Sequence, residues 1–199
     1  MKKLVLCTIM LLLFVSTTGC KKEEKIITAD DISVNTILAK ANGQLQVATV
    51  EDFNKPYYTL NGLIEFVTNE INVYNQNVGE EKIRIDNIQL KNGKAIVLLT
   101  YTGMDQYCAF NQVTAAYFSG GIEDNPLNIP ATLVSAKDGS TANSDEVMKD
   151  GKYKILVMNE PYEIIVDGAI KYYSDNAILV EKDIVQSSTE GMTVVVFKP

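Results

Sequence analysis

TLNGLIEFVTNEINVYNQNVG, residues 59–79, is the stretch on which the fold turns. Within it Leu60, Leu63, Ile64, Val67, Ile71 and Tyr74 recur at steps of 3, 1, 3, 4 and 3 residues. That spacing keeps them on one face of a helix, so the segment reads as an amphipathic helix. Thr59 is its expected N-cap, although Gly62 stands where a capping box would put Glu, and Gly79 is its expected stop. An apolar stripe this long has to be covered, and the sequence on either side supplies hairpins to cover it.

Asn42-Gly43, Asn92-Gly93 and Asp167-Gly168 each sit between apolar or alternating runs. This is the pattern of two-residue hairpin turns whose central residues take positive φ. The first predicts pairing of 34–41 with 44–50, where Leu45, Val47 and Thr49 alternate with polar neighbours. The second pairs 82–91 with 94–101. In the latter strand Ala95, Val97, Leu99 and Tyr101 line one face and Ile96 and Leu98 the other, so both faces are expected to be covered. In its partner the apolar phase shifts from Ile83 and Ile85 to Ile88 and Leu90, which predicts a bulge near Asp86 or Asn87. The third turn pairs 162–166 with 169–173.

Farther along, a short helix is expected around 103–111, then a strand at 113–118 and a Gly-, Pro- and Asn-rich loop at 119–130. Residues 138–150 hold few apolar side chains and read as a surface loop or boundary. The end is β-rich, with strands expected at 153–158, 162–166, 169–173, 177–185 and 193–198. The fold class is therefore α+β: antiparallel β-hairpins packed on one long helix, followed by a β-rich C-terminal half. The plan is an α+β domain over 32–135, a loop or boundary over 136–152, and a β-rich region over 153–199, a second subdomain or part of the same one.

The chain of 199 residues begins with an address. Lys2 and Lys3 precede a nearly unbroken apolar run, 4–15, far shorter than the roughly 20 residues of a spanning helix. Ser16-Thr17-Thr18-Gly19-Cys20 follows, then the polar residues 21–25. Small residues leading into a Cys at the end of an apolar segment resemble the lipobox of bacterial lipoproteins, in which the Cys receives diacylglycerol and becomes the new N-terminus. The resemblance implies a signal peptide over 1–19 and lipidation of Cys20. Thr18 and Gly19 match its small residues, while Thr17 stands where the family usually has Leu or Val. It also implies a protein held by lipid on the extracytoplasmic face of the cell membrane, with 20–31 as lipidated Cys and a polar tether of at most about 35 Å.

Without Lys2 and Lys3 the mature chain keeps all 25 acidic residues and loses two of 18 basic ones, a formal charge of about −9. That argues against nucleic acid as a partner and against an electrostatic grip on anionic lipid. Cys7 lies in the signal and Cys20 is the lipid site, which leaves Cys108 with no internal disulfide partner. Flanked by Met104, Tyr107, Ala109 and Phe110, Cys108 reads as a small buried apolar residue rather than a reactive thiol.

The order of hairpin, helix, hairpin, short helix and β-rich end resembles a group of small uncharacterised lipoproteins of Gram-positive bacteria. The residues carrying this are Val50-Glu51-Asp52-Phe53 leading to Tyr57-Tyr58, then Asn92-Gly93-Lys94-Ala95. Near the end they are Asp167-Gly168-Ala169-Ile170-Lys171-Tyr172-Tyr173-Ser174-Asp175-Asn176. These segments reach across most of the mature chain. The resemblance implies location and domain plan, and no activity comes with it.

There is no His and no Trp. Ser-His-Asp triads, Cys-His pairs and imidazole metal ligands are thereby excluded. Asp138, Ser140, Asn143, Asp145 and Glu146 offer oxygen ligands, yet Gly139 sits second and Ala142 fills a ligand slot of the EF-hand order. The stretch therefore reads as a solvated loop, and no metal or cofactor is expected. Asp30 and Asp31 read as a polar boundary, and Glu123 and Asp124 as loop acids. Ser135-Ala136-Lys137 has the wrong spacing for Ser-Lys chemistry, and Ser119-Gly120-Gly121 lacks the strand-to-helix context and Lys of a phosphate cradle.

Ten Tyr residues are the surplus of the composition. Tyr joins a broad apolar face to a hydroxyl and suits peptide or glycan binding, or else packs in sheets where Trp is absent. The adjacent pairs Tyr57-Tyr58 and Tyr172-Tyr173 are the candidate ligand-binding residues. On a strand, neighbours point to opposite faces, so one of Tyr172 and Tyr173 is expected buried and the other exposed. The expected function is a membrane-anchored extracytoplasmic lipoprotein, a non-catalytic binding or assembly module at the cell envelope. Its expected partners are the membrane, through the N-terminal lipid, and an envelope protein, peptide or glycan. Two alternatives stay open: a cell-wall-acting hydrolase using carboxylates, and an accessory subunit of an envelope complex. Converging carboxylates in a concave site would favour the hydrolase, and an exposed Tyr-rich or apolar patch the binding module.

Overall fold

The computed structural model describes residues 24–119, 121–122, 127 and 129–199. The expected signal segment 1–19, Cys20 and residues 21–23 lie outside the described residues, as do Gly120, Glu123 and Asp124. In chain order come β1 (Thr36–Ala39), β2 (Leu45–Asp52), α1 (Leu60–Val78), β3 (Ile83–Lys91), β4 (Lys94–Tyr101), α2 (Met104–Asn111) and β5 (Ala115–Ser119). Then follow β6 (Thr132–Ser135), β7 (Thr141–Asn143), α3 (Ser144–Met148), β8 (Lys154–Met158) and β9 (Glu163–Val166). The chain ends with β10 (Ala169–Tyr173), β11 (Ile178–Glu181), β12 (Ile184–Gln186) and β13 (Thr193–Lys198).

The long helix begins and ends where its residues dictate. Thr59 is extended and its side chain accepts from the Gly62 amide, while Gly79 closes the other end at φ 78°. The β3–β4 hairpin turns on Asn92 and Gly93, both at positive φ (54° and 75°), the two-residue turn whose twist matches its strands. The register of that pair shifts between Ile85 and Asn87, the bulge that the change of apolar phase predicts.

Seven strands form the first sheet in the order β11-β12-β9-β1-β2-β4-β3, and six form the second in the order β5-β8-β13-β10-β6-β7. Pairing is antiparallel apart from β1 with β9, which is parallel. This is a β-rich α+β fold. The sheets face each other: Ile37, Ala39, Val47, Leu99 and Ile164 of the first meet Leu156, Met158, Val195 and Phe197 of the second. Ile71 of α1 and Met104 and Tyr107 of α2 join that core. Each large side chain sealed there is worth about 1.5–3 kcal/mol relative to exposure.

The outer faces are covered too. Met148 and Val147 of α3, with Ile129, cap Ile155, Val157, Val194 and Val196 of the second sheet. On the first sheet Ile27, Ala29 and Ile32 cover Leu38, Ala48, Ile96 and Leu98, so β4 is covered on both faces.

That cover corrects the polar tether expected over 20–31: from Glu24 on, the segment is a strap docked across the sheet. Lys25 pairs with Asp183 and donates to the Val166 carbonyl. Glu24 meets the buried Lys40 at 2.5 Å, and the Ile27 amide donates to Gln46 Oε1 at 3.1 Å. Composition hid this because Ile27, Ala29 and Ile32, with the exposed Ile26, are only four apolar residues in a polar run.

Two of the three expected two-residue turns differ. Asn42-Gly43 lies in a three-residue loop closed by Gly43 N–H to the Lys40 carbonyl at 3.0 Å, and only Gly43 has positive φ. Asp167-Gly168 makes no hairpin, because β9 lies in the first sheet and β10 in the second; it is the crossover between them. Gly is required there by close approach rather than by φ.

Residues 136–152 are likewise not a loop or boundary. They contain β7, paired with β6, and α3, whose Ser144, Val147 and Met148 are buried. Strands β9, β11 and β12 from the C-terminal region join the sheet of the N-terminal hairpins, so both halves of the chain build both sheets. The single strand expected over 177–185 is the β11–β12 hairpin.

Candidate functional site

Helix α1 does not close down on the first sheet along its whole length. Its C-terminal part is clamped by Asn75, which accepts from the amides of Lys82 and Ile83 (2.9 and 3.1 Å) and donates to the Ile83 carbonyl (2.8 Å). Ile71, one turn earlier, is its one fully buried residue. Beside that clamp, one side of the helix from Thr59 to Asn77 and the strands below it line a groove of about 1020 Å³. The floor is Thr49 of β2 with Ala95, Val97 and Leu99 of β4; one wall is α1 and the far end is Ala109, Phe110 and Asn111 of α2.

The groove face of α1 is Leu63, Phe66, Val67, Glu70, Val73, Tyr74 and Asn77, again a helical spacing. It shares Leu63, Val67 and Tyr74 with the stripe read from sequence but is rotated from it, so Phe66 and Val73 come into view. Both are exposed, Phe66 at 63% and Val73 at 48%. The sequence reading missed them because they lie off the best single stripe; their separation of two helical turns was the available signal.

Aromatic rings line both ends. At the open end Phe53 stacks on Tyr58 (4.9 Å, 29°) and Tyr57 stands edge-on to Tyr58 (4.9 Å, 79°). At the other end Phe110 meets Tyr74 edge-on at 5.5 Å and Tyr101 at 6.2 Å. Asn111 Nδ2 donates to the Tyr101 hydroxyl at 3.2 Å, and burial pushes that phenol up to about 12. Burial also raises Tyr107 and Tyr162 behind it, so these hydroxyls stay neutral donors or acceptors.

The charged residues lining the groove are Glu51, Asp52 and Glu70, all exposed, with no Lys or Arg among the lining residues. Glu51 and Asp52 are neighbours on β2, so their side chains diverge rather than converge on one reacting atom. Asp52 has an exposed partner, Lys94, at 3.9 Å, a surface pair of little energetic weight.

Of the four candidate tyrosines, Tyr57 and Tyr58 line the groove and Tyr172 and Tyr173 do not. The second pair sits on β10 in the other sheet and points to opposite faces as the strand requires. Tyr173 packs on the core between the sheets, and Tyr172 packs on the outer core edge-on to Tyr153 at 6.1 Å. Neither is fully exposed, because the second sheet is covered on both faces.

Cys108 is half buried, donates to the Ala115 carbonyl at 3.3 Å, and its thiol is pushed up by burial, which suits packing rather than nucleophilic attack. In the acidic loop, Asp138 Oδ1 accepts from the hydroxyl and amide of Ser140, which hold its carboxyl down to about 2. Among the described residues no group of three or more acids or cysteines is placed to hold a metal ion. Among them, too, no helix is long and apolar enough to cross a membrane.

These features define a class: a two-sheet, β-rich α+β protein with an aromatic, acid-edged groove between its long helix and the first sheet. Comparison of the chain with protein-family models, with curated proteins and with solved structures returns no match.

Proposed function

We propose that this chain is a lipid-anchored binding module on the extracytoplasmic face of the cell envelope, with Cys20 as its acylated residue and the α1 groove as its non-catalytic ligand site. The observation carrying the binding assignment is the groove: apolar and aromatic side chains such as Phe66 and Tyr57 stand exposed around a concave surface. Exposed aromatic surface of this kind is retained where something binds. The anchor assignment rests on the lipobox-type run ending at Cys20.

Each part has its own test. Replacing Cys20 with Ala should remove lipid label and release the protein from membranes; unchanged label with full membrane fractionation overturns the anchor. A photo-crosslinking amino acid at Phe66 should give a light-dependent adduct in intact membranes, while the same probe at the distant, exposed Ile178 gives none. Equal labelling at both positions, or none at Phe66, overturns the groove as ligand site. An adduct with one membrane protein would identify the module as the accessory subunit of an envelope complex.

A further inference from the structure

We infer that the groove takes a cationic amphipathic polypeptide segment, a partner helix with an apolar face flanked by Lys or Arg; this rests on the reading of the groove as the ligand site. The first argument is charge. Every charged side chain lining the groove is acidic, Glu51, Asp52 and Glu70, and these edge an apolar floor of Val97 and Leu99. An anionic ligand would face three carboxylates with no Lys or Arg in the lining, and Lys94 beside the rim is already turned to Asp52. A neutral apolar ligand would leave their field unused. A segment with apolar residues along one face and cations beside it satisfies both.

The second argument is shape. The lining runs along α1 from Thr59 to Asn77, which at 1.5 Å per residue is about 27 Å, or five helical turns. A single helix of that length and about 10 Å across would span the lined wall from end to end. The exposed residues Phe66 and Val73 are seven apart on one wall, the spacing that receives apolar side chains two turns apart on a packed helix.

The third argument is position. Glu24, where the strap begins, is fixed to Lys40 beside the start of β2. The chain between Cys20 and Glu24 spans at most about 14 Å. Along β2 the groove's exposed aromatic end lies eight residues away, about 26 Å. The open end therefore sits at the opposite end of the strand from the anchor, where a protein partner approaches more readily than the anchoring bilayer.

The test uses the lipidated mature protein in phosphatidylcholine nanodiscs, with protein-free nanodiscs subtracted, and fluorescent 18-residue peptides read by anisotropy. Four helical designs share one length: Leu with Lys, Leu with Glu, Leu with Gln, and Ser with Lys. The Leu/Lys peptide should bind saturably at one per protein, at least roughly tenfold tighter than Leu/Glu, and weaken as salt rises. Replacing Glu51 and Glu70 with Gln and Asp52 with Asn should abolish that preference. Phe66→Ser, a substitution at an exposed site, should weaken Leu/Lys and Leu/Gln alike. Equal binding of Leu/Lys and Leu/Gln, both lost in Phe66→Ser, overturns the cationic assignment and leaves the groove as a binding site. Equal binding of Ser/Lys and Leu/Lys overturns it as mere charge adsorption. No binding of any peptide overturns the polypeptide assignment, while the crosslink at Phe66 decides separately whether the groove binds at all.

Discussion

A Cβ added to Gly168 would stand 2.3 Å from the Lys198 carbonyl oxygen and 2.8 Å from its carbon. Both are backbone atoms of Lys198 at the end of β13, paired with Ala169 of β10, so the added carbon meets main chain rather than a side chain that could swing aside. Gly168→Ala is expected to destabilise by about 3 kcal/mol, the upper part of the usual range for overpacking. Gly93 meets nothing within 4 Å but has φ of +75°, so Gly93→Ala should cost only the strain of the left-handed region, about 1 kcal/mol. Urea midpoints of the two variants measure the difference, and equal losses would refute the close-approach account. In the sequence the two glycines carry the same signature, a short polar residue then Gly between apolar runs. What separates them is which strand lies alongside, and that is a long-range fact no local pattern encodes.

Glu160 belongs to the same scale. Its Oε2 is buried without a hydrogen-bond partner, and burial raises its carboxyl above the ordinary value of 4.5. The folded chain therefore binds this proton more tightly than the unfolded chain. Its penalty is absent below the ordinary value, grows as pH rises through the raised value, and is complete above it. Glu160→Gln is expected to raise the melting temperature at pH 7, and the gain should shrink towards pH 4. A gain that is constant with pH would show that ionisation is not the cause.

At the scale of the element, α1 has two ends of different character. Asn75 and Ile71 tie its C-terminal half to β3 and the core, whereas its N-terminal half has only the Thr59 cap and a partly covered wall. Ile71→Ala should therefore destabilise by about 3 kcal/mol. Phe66→Ala should leave stability within about 0.5 kcal/mol while removing groove surface. Amide exchange should be faster over 61–66 than over 71–76, and the reverse order would contradict the clamp. The helix, its cap and its stop were legible because 3.6-residue periodicity and capping are local. The groove was not, because an apolar stripe says that a face wants cover without saying how much the sheet provides.

At the scale of the whole molecule, two sheets share strands from both halves of the chain, and the first sheet depends on the strap for its outer cover. Most strands were legible from alternation and turns, but the short β6 and β7 were not. Sheet membership was not, because the parallel β1–β9 pair joins residues more than 120 positions apart and leaves no local mark. The strap has a consequence that can be measured. Ile27 and Ile32 are 8% and 5% exposed and lie over Leu38, Ala48, Ile96 and Leu98. Replacing both with Asp would set carboxylates against that apolar face, so the strap should detach and stability should fall by about 2 kcal/mol or more for each lost Ile side chain, read as a lower urea midpoint. Lys25, held in the native chain by Asp183 and the Val166 carbonyl, should then become a site of rapid tryptic cleavage. If Lys25 is cut at the native rate in the double variant, the segment is not held by its apolar residues. If it is cut quickly and the midpoint falls, the strap is part of the fold, and the domain is held close to wherever the chain before Glu24 is fixed.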